Sequence, residues 1–105
     1  MSQFHENLDR ALDLSQRILN LARESEWGEM AKLDQERMPI LKSLFNNLES
    51  QPFFADYRDR LEEILSLNEQ ALRVCREARS PMLKMGRQLK QGRTAVAAYL
   101  KQSHD

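Results

Sequence analysis

Cysteine, glycine, proline and aromatic residues are all scarce in this chain. Its 105 residues include 1 Cys, 3 Gly and 3 Pro, and only 7% of them are aromatic. A single Cys excludes an internal disulfide framework and is typical of proteins of the reducing cytosol. Few Gly and Pro, beside 41% hydrophobic and 30% charged residues, favour a helical chain. We therefore expect one helical domain, residues 1–105, in the cytoplasm.

Segments that direct a chain into or across a membrane are also missing. The sequence has no run of about 18 apolar residues, so we expect no membrane insertion. Its first residues, Met1 to Asn7, lack the basic start and the apolar stretch of a signal peptide. Both observations predict a cytoplasmic location.

The known catalytic motifs are absent as well. The sequence contains no phosphate-binding loop, no Gly-x-Ser-x-Gly and no His-Glu-x-x-His. His5 and His104 lie at opposite ends of the chain and make a poor metal-binding pair. We predict that the protein is not an enzyme and that it has no cofactor and no metal site.

A long apolar heptad pattern is the main feature that is present. A spacing of about 3.5 residues keeps one side of a helix facing a neighbour along its whole length. Leu65 and Leu72 widen this side on one flank, and Leu67 and Val74 widen it on the other, so the helix has room for more than one neighbour. The heptad positions are Leu61, Ile64, Asn68, Ala71, Cys75, Ala78, Met82, Met85, Leu89, Gly92, Val96 and Tyr99.

Two shorter helices are predicted before it. Apolar residues recur at helical spacing over about residues 4–24 and 26–48, with Ser25 as a candidate N-cap of the second helix. Pro39 lies inside the second pattern and predicts a kink there rather than an end. The two segments are expected to form an antiparallel hairpin.

The third helix is predicted over about residues 56–101, and Ser80-Pro81 leaves two interpretations open. A cap followed by proline is typical of a new helix, which would break the segment in two. The heptad phase continues from Ala78 to Met82 without a skip, which favours one kinked helix. The predicted fold is all-α: an antiparallel helical hairpin plus a long third helix, giving a bundle of three or four helices.

Two residues of the heptad pattern carry chemistry of their own. An amide such as that of Asn68 in an apolar stripe either fixes the register of two helices or contacts a bound ligand, and both interpretations stay open. Cys75 is interpreted as a buried, inert thiol.

Charge is distributed unevenly although the net charge is zero. Residues 1–77 carry 15 acidic and 10 basic residues, whereas residues 78–105 carry 6 basic residues and Asp105. A solvated basic face is one interpretation, and a landing site for an acidic partner is the other. No aromatic residues alternate with these bases, so no nucleic acid is expected as a partner. The candidate basic patch comprises Arg79, Lys84, Arg87, Lys90 and Arg93.

Short motifs in this order resemble those of a known family. The run from Leu21 to Trp27, Leu-Ala-Arg-Glu-Ser-Glu-Trp, is similar to the hairpin turn of FliT-type flagellar export chaperones, in which Gly is common at the position of Ser25. The run from Asn68 to Leu72, followed by a basic and apolar segment with Ala98-Tyr99 near its end, resembles the third helix of that family and its continuation. The resemblance covers about residues 8–101.

The resemblance implies a cytoplasmic chaperone of flagellar assembly. Proteins of this family bind the C-terminal amphipathic part of the flagellar filament-cap protein and escort it to the type III export apparatus. Other implied partners are the export gate, the export ATPase complex and, in some bacteria, the master flagellar transcription regulator. The family's C-terminal helix folds back over the binding surface, and the short tail after Tyr99 puts the strength of that self-inhibition in question.

These expectations assign candidate roles to two sets of residues. The side of the third helix that begins at Leu61 is expected to receive the client's helix, and the segment from Met82 to Tyr99 is expected to cover it in the free protein. The candidate client-binding residues are Leu61, Ile64, Leu65, Asn68, Leu72 and Cys75. The candidate regulatory residues are Met82, Met85, Leu89, Val96 and Tyr99.

Two other functions remain open at this point. The heptad pattern is also compatible with a self-associating coiled-coil module that has no export client, and the protein would then be a homodimer rather than a monomer. Binding of nucleic acid through the basic C-terminal segment ranks lower.

Overall fold

The described part of the chain is entirely helical. A computed structural model describes residues 3–47 and 54–80, and these form α1 (Gln3–Arg23), α2 (Trp27–Asn46) and α3 (Phe54–Glu77). The predicted all-α fold class is confirmed. No helix within the described ranges is both long enough and apolar enough to cross a membrane.

α1 is amphipathic along its whole length. Its buried residues recur at steps of three and four, which places them on one side of a helix with about 3.6 residues per turn. Charged residues occupy the opposite side, where Asp13 and Arg17 form an exposed ion pair one turn apart. The buried residues are Phe4, Leu8, Ala11, Leu14, Ser15, Ile18, Leu19 and Ala22.

α1 ends in a Schellman motif, in which one residue adopts the left-handed conformation. Ser25 has φ 58°, its N–H donates to the carbonyl of Ala22 at 3.0 Å, and the N–H of Glu26 donates to the carbonyl of Leu21 at 2.9 Å. The prediction that Ser25 caps α2 is therefore wrong. Glu26 occupies the N-cap position and makes no capping hydrogen bond with its side chain.

α2 continues through its proline. Pro39 lies inside the helix Trp27–Asn46, at an exposed position where the missing N–H costs one backbone hydrogen bond without ending the helix. Asn47 closes the helix, and its backbone N–H approaches the carbonyls of Ser43 and Leu44. α2 thus runs as one continuous helix, antiparallel to α1.

α3 ends well before the residue at which the predicted helix ends. Arg79 has φ 55°, its N–H donates to the carbonyl of Arg76 at 3.1 Å, and the N–H of Ser80 donates to the carbonyl of Cys75 at 2.8 Å. This second Schellman motif stops the helix at Glu77. One continuous helix through Ser80, the interpretation that the heptad phase favoured, is wrong. Residues 81–105 lie outside the described ranges.

The three helices bury two apolar clusters. The first joins the start of α1 and the end of α2 to the first half of α3, and the second joins the end of α1 and the start of α2 to the second half of α3. α1 is thus antiparallel to α2 and parallel to α3. The first cluster contains Phe4, Leu8, Ala11, Leu41, Leu44, Leu61, Ile64 and Leu65. The second contains Ile18, Leu19, Ala22, Met30, Leu67, Ala71 and Cys75.

Candidate functional site

A buried polar group lies between the two apolar clusters. Arg37 of α2 has no exposed surface, and its Nη1 donates to Ser15 Oγ of α1 at 3.0 Å. Its Nη2 donates to Asn68 Oδ1 of α3 at 3.1 Å and to Asp34 Oδ1, one turn away on α2, at 2.9 Å. We call Ser15, Asp34, Arg37 and Asn68 the Arg37 hub. It links all three helices at mid-length.

The hub holds a charge that is expensive to bury. Removal from water lowers the pKa of the Arg37 guanidinium below its ordinary value, and the nearby Asp34 carboxylate opposes this shift. Asp34 balances the charge, and 13% of its side chain stays exposed. Arg37 Nε has no hydrogen-bond partner within the described ranges. An incompletely paired buried ion contributes little net stability but is costly to disrupt.

Sequence reasoning identified one member of the hub and missed the others. Asn68 was predicted either to fix helix register or to contact a ligand, and its hydrogen bond to Arg37 together with 3% exposure shows a contact inside the bundle. Met30, Arg37 and Leu44 are spaced seven residues apart, which is close to two helical turns. Arg37 therefore lies on the same buried side of α2 as Met30 and Leu44. That spacing was the available signal, but a charged residue is ordinarily assigned to the surface.

Most of the candidate client-binding residues are buried inside the bundle. Leu61, Ile64 and Cys75 belong to the two apolar clusters and face α1 and α2. Leu65 is 8% exposed, and Leu72 is partly exposed beside the second cluster. The structure therefore brings the set together on one side of α3 and leaves Leu65 and Leu72 at its edge.

This edge faces α2 rather than α1. Arg60, on the other flank of α3, contacts His5 and Asp9 of α1, with its Nη1 3.4 Å from Asp9 Oδ1. On α2, the side toward α1 is marked by the ion pair between Glu36 and Arg10. The helical repeat of about 100° per residue then points the remaining flanks of α2 and α3 toward each other.

Partly exposed apolar residues line the junction of those two flanks. Phe45 packs against the first cluster, while Trp27 and Leu72 pack against the second. We call this surface the α2–α3 seam. The backbones of α2 and α3 approach each other less closely than either approaches α1. The residues of the seam are the partly exposed Trp27, Phe45 and Leu72, the buried Leu65, and Ala31 and Met38, which the helical repeat places on the same flank of α2 as Trp27 and Phe45.

Cys75 lies in the second apolar cluster, near the end of α3. Burial raises the pKa of its thiol above the ordinary value, and a hydrogen bond with the Ser80 side chain opposes that shift. The thiol is free and buried. Within the described ranges no group of His, Cys, Asp and Glu side chains is arranged to hold a metal ion.

Most of the candidate regulatory and basic residues are not described. Arg79 is exposed in the left-handed position that ends α3. The other members of both sets lie outside the described ranges: Met82, Lys84, Met85, Arg87, Leu89, Lys90, Arg93, Val96 and Tyr99.

Comparison with known proteins identifies the family. The sequence model of the family described as flagellar protein FliT matches residues 5–101. The chain belongs to the FliT family. The predicted resemblance is thereby confirmed, over nearly the same range as the motifs had suggested. No curated protein and no solved structure matches the chain.

Membership in the FliT family indicates the class of function. FliT is a family of flagellar chaperones and not of enzymes. A chaperone acts through the surface that it offers to another chain. The Ser25 position, where FliT-type turns commonly have Gly, is the left-handed residue of the α1 Schellman motif.

Proposed function

We propose that the protein is a cytoplasmic chaperone of flagellar export that binds the C-terminal amphipathic helix of the filament-cap protein. The supporting observation is the α2–α3 seam, an apolar strip between two helices that approach each other less closely than either approaches α1. An amphipathic helix binds to a strip of this kind by inserting apolar residues one turn apart.

The candidate client-binding residues divide into two roles in this proposal. Leu65 and Leu72 touch the client, because they form the edge of α3 that faces the seam. Four others lie behind them and hold α3 in place from inside the bundle: Leu61, Ile64, Asn68 and Cys75.

The C-terminal segment is the proposed cover of the seam in the free protein. Its apolar heptad positions continue the pattern of α3, and its basic residues complement the acidic excess of residues 1–77. The proposed cover residues are Met82, Met85, Leu89, Val96 and Tyr99. The proposed contacts for acidic partners are Arg79, Lys84, Arg87, Lys90 and Arg93.

Delivery of the client requires further partners. The export gate and the export ATPase complex are the proposed receivers at the type III apparatus, and a flagellar transcription regulator is a further candidate. Self-association as a coiled coil is less well supported, because the heptad residues of α3 already pack against α1 and α2 of the same chain.

A pair of matched variants tests the binding surface. Leu72→Asp places a charge at the seam, whereas Ser66→Asp places the same charge on the exposed side of α3. Binding of a peptide from the C-terminal end of the cap protein is measured by fluorescence anisotropy, with folding checked by circular dichroism. We expect Leu72→Asp to weaken binding by roughly tenfold or more and Ser66→Asp by less than about twofold. Undiminished binding by folded Leu72→Asp would remove the seam from the site.

The proposed cover is tested in the full chain. Leu89→Asp should weaken docking of the C-terminal segment and leave the seam more accessible. Tighter binding of the cap-protein peptide is the expected result, since the competing segment no longer has to be displaced. Binding that is unchanged or weaker would show that Leu89 does not belong to a competing cover.

A further inference from the structure

The hydrogen bond from Arg37 to Asn68 joins α2 directly to α3. It spans 3.1 Å between two side chains that are almost fully buried. Asn68 also lies close to the seam, since Leu65 and Leu72 are its neighbours one turn away on α3. The polar connection between the two helices thus lies directly behind the proposed client surface.

α1 holds the other two helices together independently of this connection. Both apolar clusters include residues of α1, and α1 packs closely against α2 and against α3. Exposed ion pairs add contacts on each side, from Arg10 to Glu36 of α2 and from Asp9 to Arg60 of α3. Separation of α2 from α3 therefore leaves each helix with a partner.

Opening at the hub also recovers hydration that folding had removed. The guanidinium of Arg37 is fully buried, and its Nε lacks a hydrogen-bond partner within the described ranges. Water that enters between α2 and α3 would solvate this charge and the Asn68 amide, which offsets the cost of breaking their hydrogen bond. Apolar side chains in the same place would gain nothing from water. The Arg37 hub is thus the part of the core that gains most from hydration when α2 and α3 separate.

We propose that the Arg37 hub is a latch between α2 and α3, which allows the seam to widen locally while α1 keeps the bundle folded. The hydrogen bond from Arg37 to Asn68 fixes α2 against α3 in the closed state. Hydration of the opened hub keeps the free energy of opening low. The inference rests on the proposed function only in assigning the client's helix to the widened seam. The opening itself is a property of the protein alone.

Native-state hydrogen exchange tests the latch in the full chain without any client. The variant Ser15→Ala/Asp34→Ala/Arg37→Met/Asn68→Leu replaces the hydrogen bonds and the ion pair of the hub with apolar contacts. If the latch permits local opening, amides of α2 near Leu41 exchange faster than those of α1 near Leu14 in the natural protein. In the variant we expect exchange in α2 to slow by roughly tenfold more than exchange in α1.

The opposite change is expected from a single substitution. Asn68→Ala removes the α3 side of the latch and should speed exchange in α2 more than in α1, which keeps the proposal testable if the quadruple variant does not fold. Equal changes in α1 and α2 for both variants would overturn the latch, because they would report global unfolding only. A seam that opens as expected but binds no cap-protein peptide would contradict the proposed function and leave the latch intact.

Discussion

At the scale of single residues, two residues other than glycine adopt the left-handed backbone conformation, which strains the backbone locally. Ser25 and Arg79 have φ 58° and 55°, in a region where a side chain costs about 1–2 kcal/mol relative to the right-handed helix. Both are held there by the hydrogen bonds of a Schellman motif. Glycine adopts this conformation without a steric penalty.

Ser25→Gly should therefore stabilise the protein. We expect a gain of about 0.5–1 kcal/mol in the free energy of unfolding, measured with urea, after the larger conformational freedom of glycine in the unfolded chain is subtracted. Ser66→Gly is the matched control in the middle of α3, where the same substitution should cost about 0.5–1 kcal/mol. A loss of stability in Ser25→Gly would contradict the role of this residue in the turn.

The Arg37 hub should respond differently to partial and to complete replacement. Asn68→Ala is expected to cost about 1–3 kcal/mol, because it leaves the buried Arg37 with one partner fewer. Asn20→Ala, at an exposed position of α1, should change the free energy of unfolding by less than about 0.5 kcal/mol.

Complete replacement removes the burial cost together with the hydrogen bonds. The variant Ser15→Ala/Asp34→Ala/Arg37→Met/Asn68→Leu should be as stable as the natural protein or more stable by about 1–4 kcal/mol. A strongly additive loss over the four sites would show instead that the hub is a net source of stability.

Cys75 gives a prediction about pH. Because burial raises the pKa of its thiol in the folded chain, ionisation favours the unfolded chain. The contribution to stability is complete below the ordinary thiol pKa and is lost as the pH rises through the raised value. Cys75→Ala should lose less stability over this range of pH than the natural protein, as measured by urea unfolding. A steeper loss of stability in the variant would show that folding does not raise the pKa of the Cys75 thiol.

At the scale of helices, α2 is the least optimised element. Its N-cap, Glu26, makes no hydrogen bond with its side chain, and Gly28 lies in its first turn. A Cβ added at Gly28 would meet nothing within 4 Å. Weak local preference at the start of α2 agrees with a helix that is held mainly by packing on α1.

Gly28→Ala should consequently stabilise α2 at no steric cost. We expect a gain of about 0.5–1 kcal/mol in the free energy of unfolding, since alanine loses less backbone entropy in a helix. Thermal unfolding followed by circular dichroism measures it. A lower melting temperature would mean that the start of α2 is packed more closely than its open surroundings indicate.

The helices also show what sequence could predict and where it failed. The amphipathic spacing of α1 predicted its buried side, because burial repeats with the helical period, and Cys75 was predicted to be buried. The heptad positions Leu61 and Ile64 were predicted to receive the client, whereas both lie inside the bundle. The same periodicity misplaced the end of α3. It carries no information about the left-handed turn at Arg79, which depends on local hydrogen bonds.

At the scale of the whole molecule, the hub and the seam depend on contacts between helices. No pattern within one helix shows that Ser15, Arg37 and Asn68 meet, since they are 22 and 31 residues apart along the chain. The seam likewise follows from the packing of α1 against both other helices. Family membership adds that this surface belongs to a flagellar chaperone.

Site-specific photocrosslinking tests most directly whether the seam receives the client. A benzoylphenylalanine replaces Met38 at the seam or, as a control, the exposed Asp13 on the far side of α1. Each full-length variant is irradiated with the filament-cap protein. We expect a crosslink from position 38 to the C-terminal helix of the cap protein and none from position 13. A complex that forms but crosslinks only from position 13 would contradict this expectation.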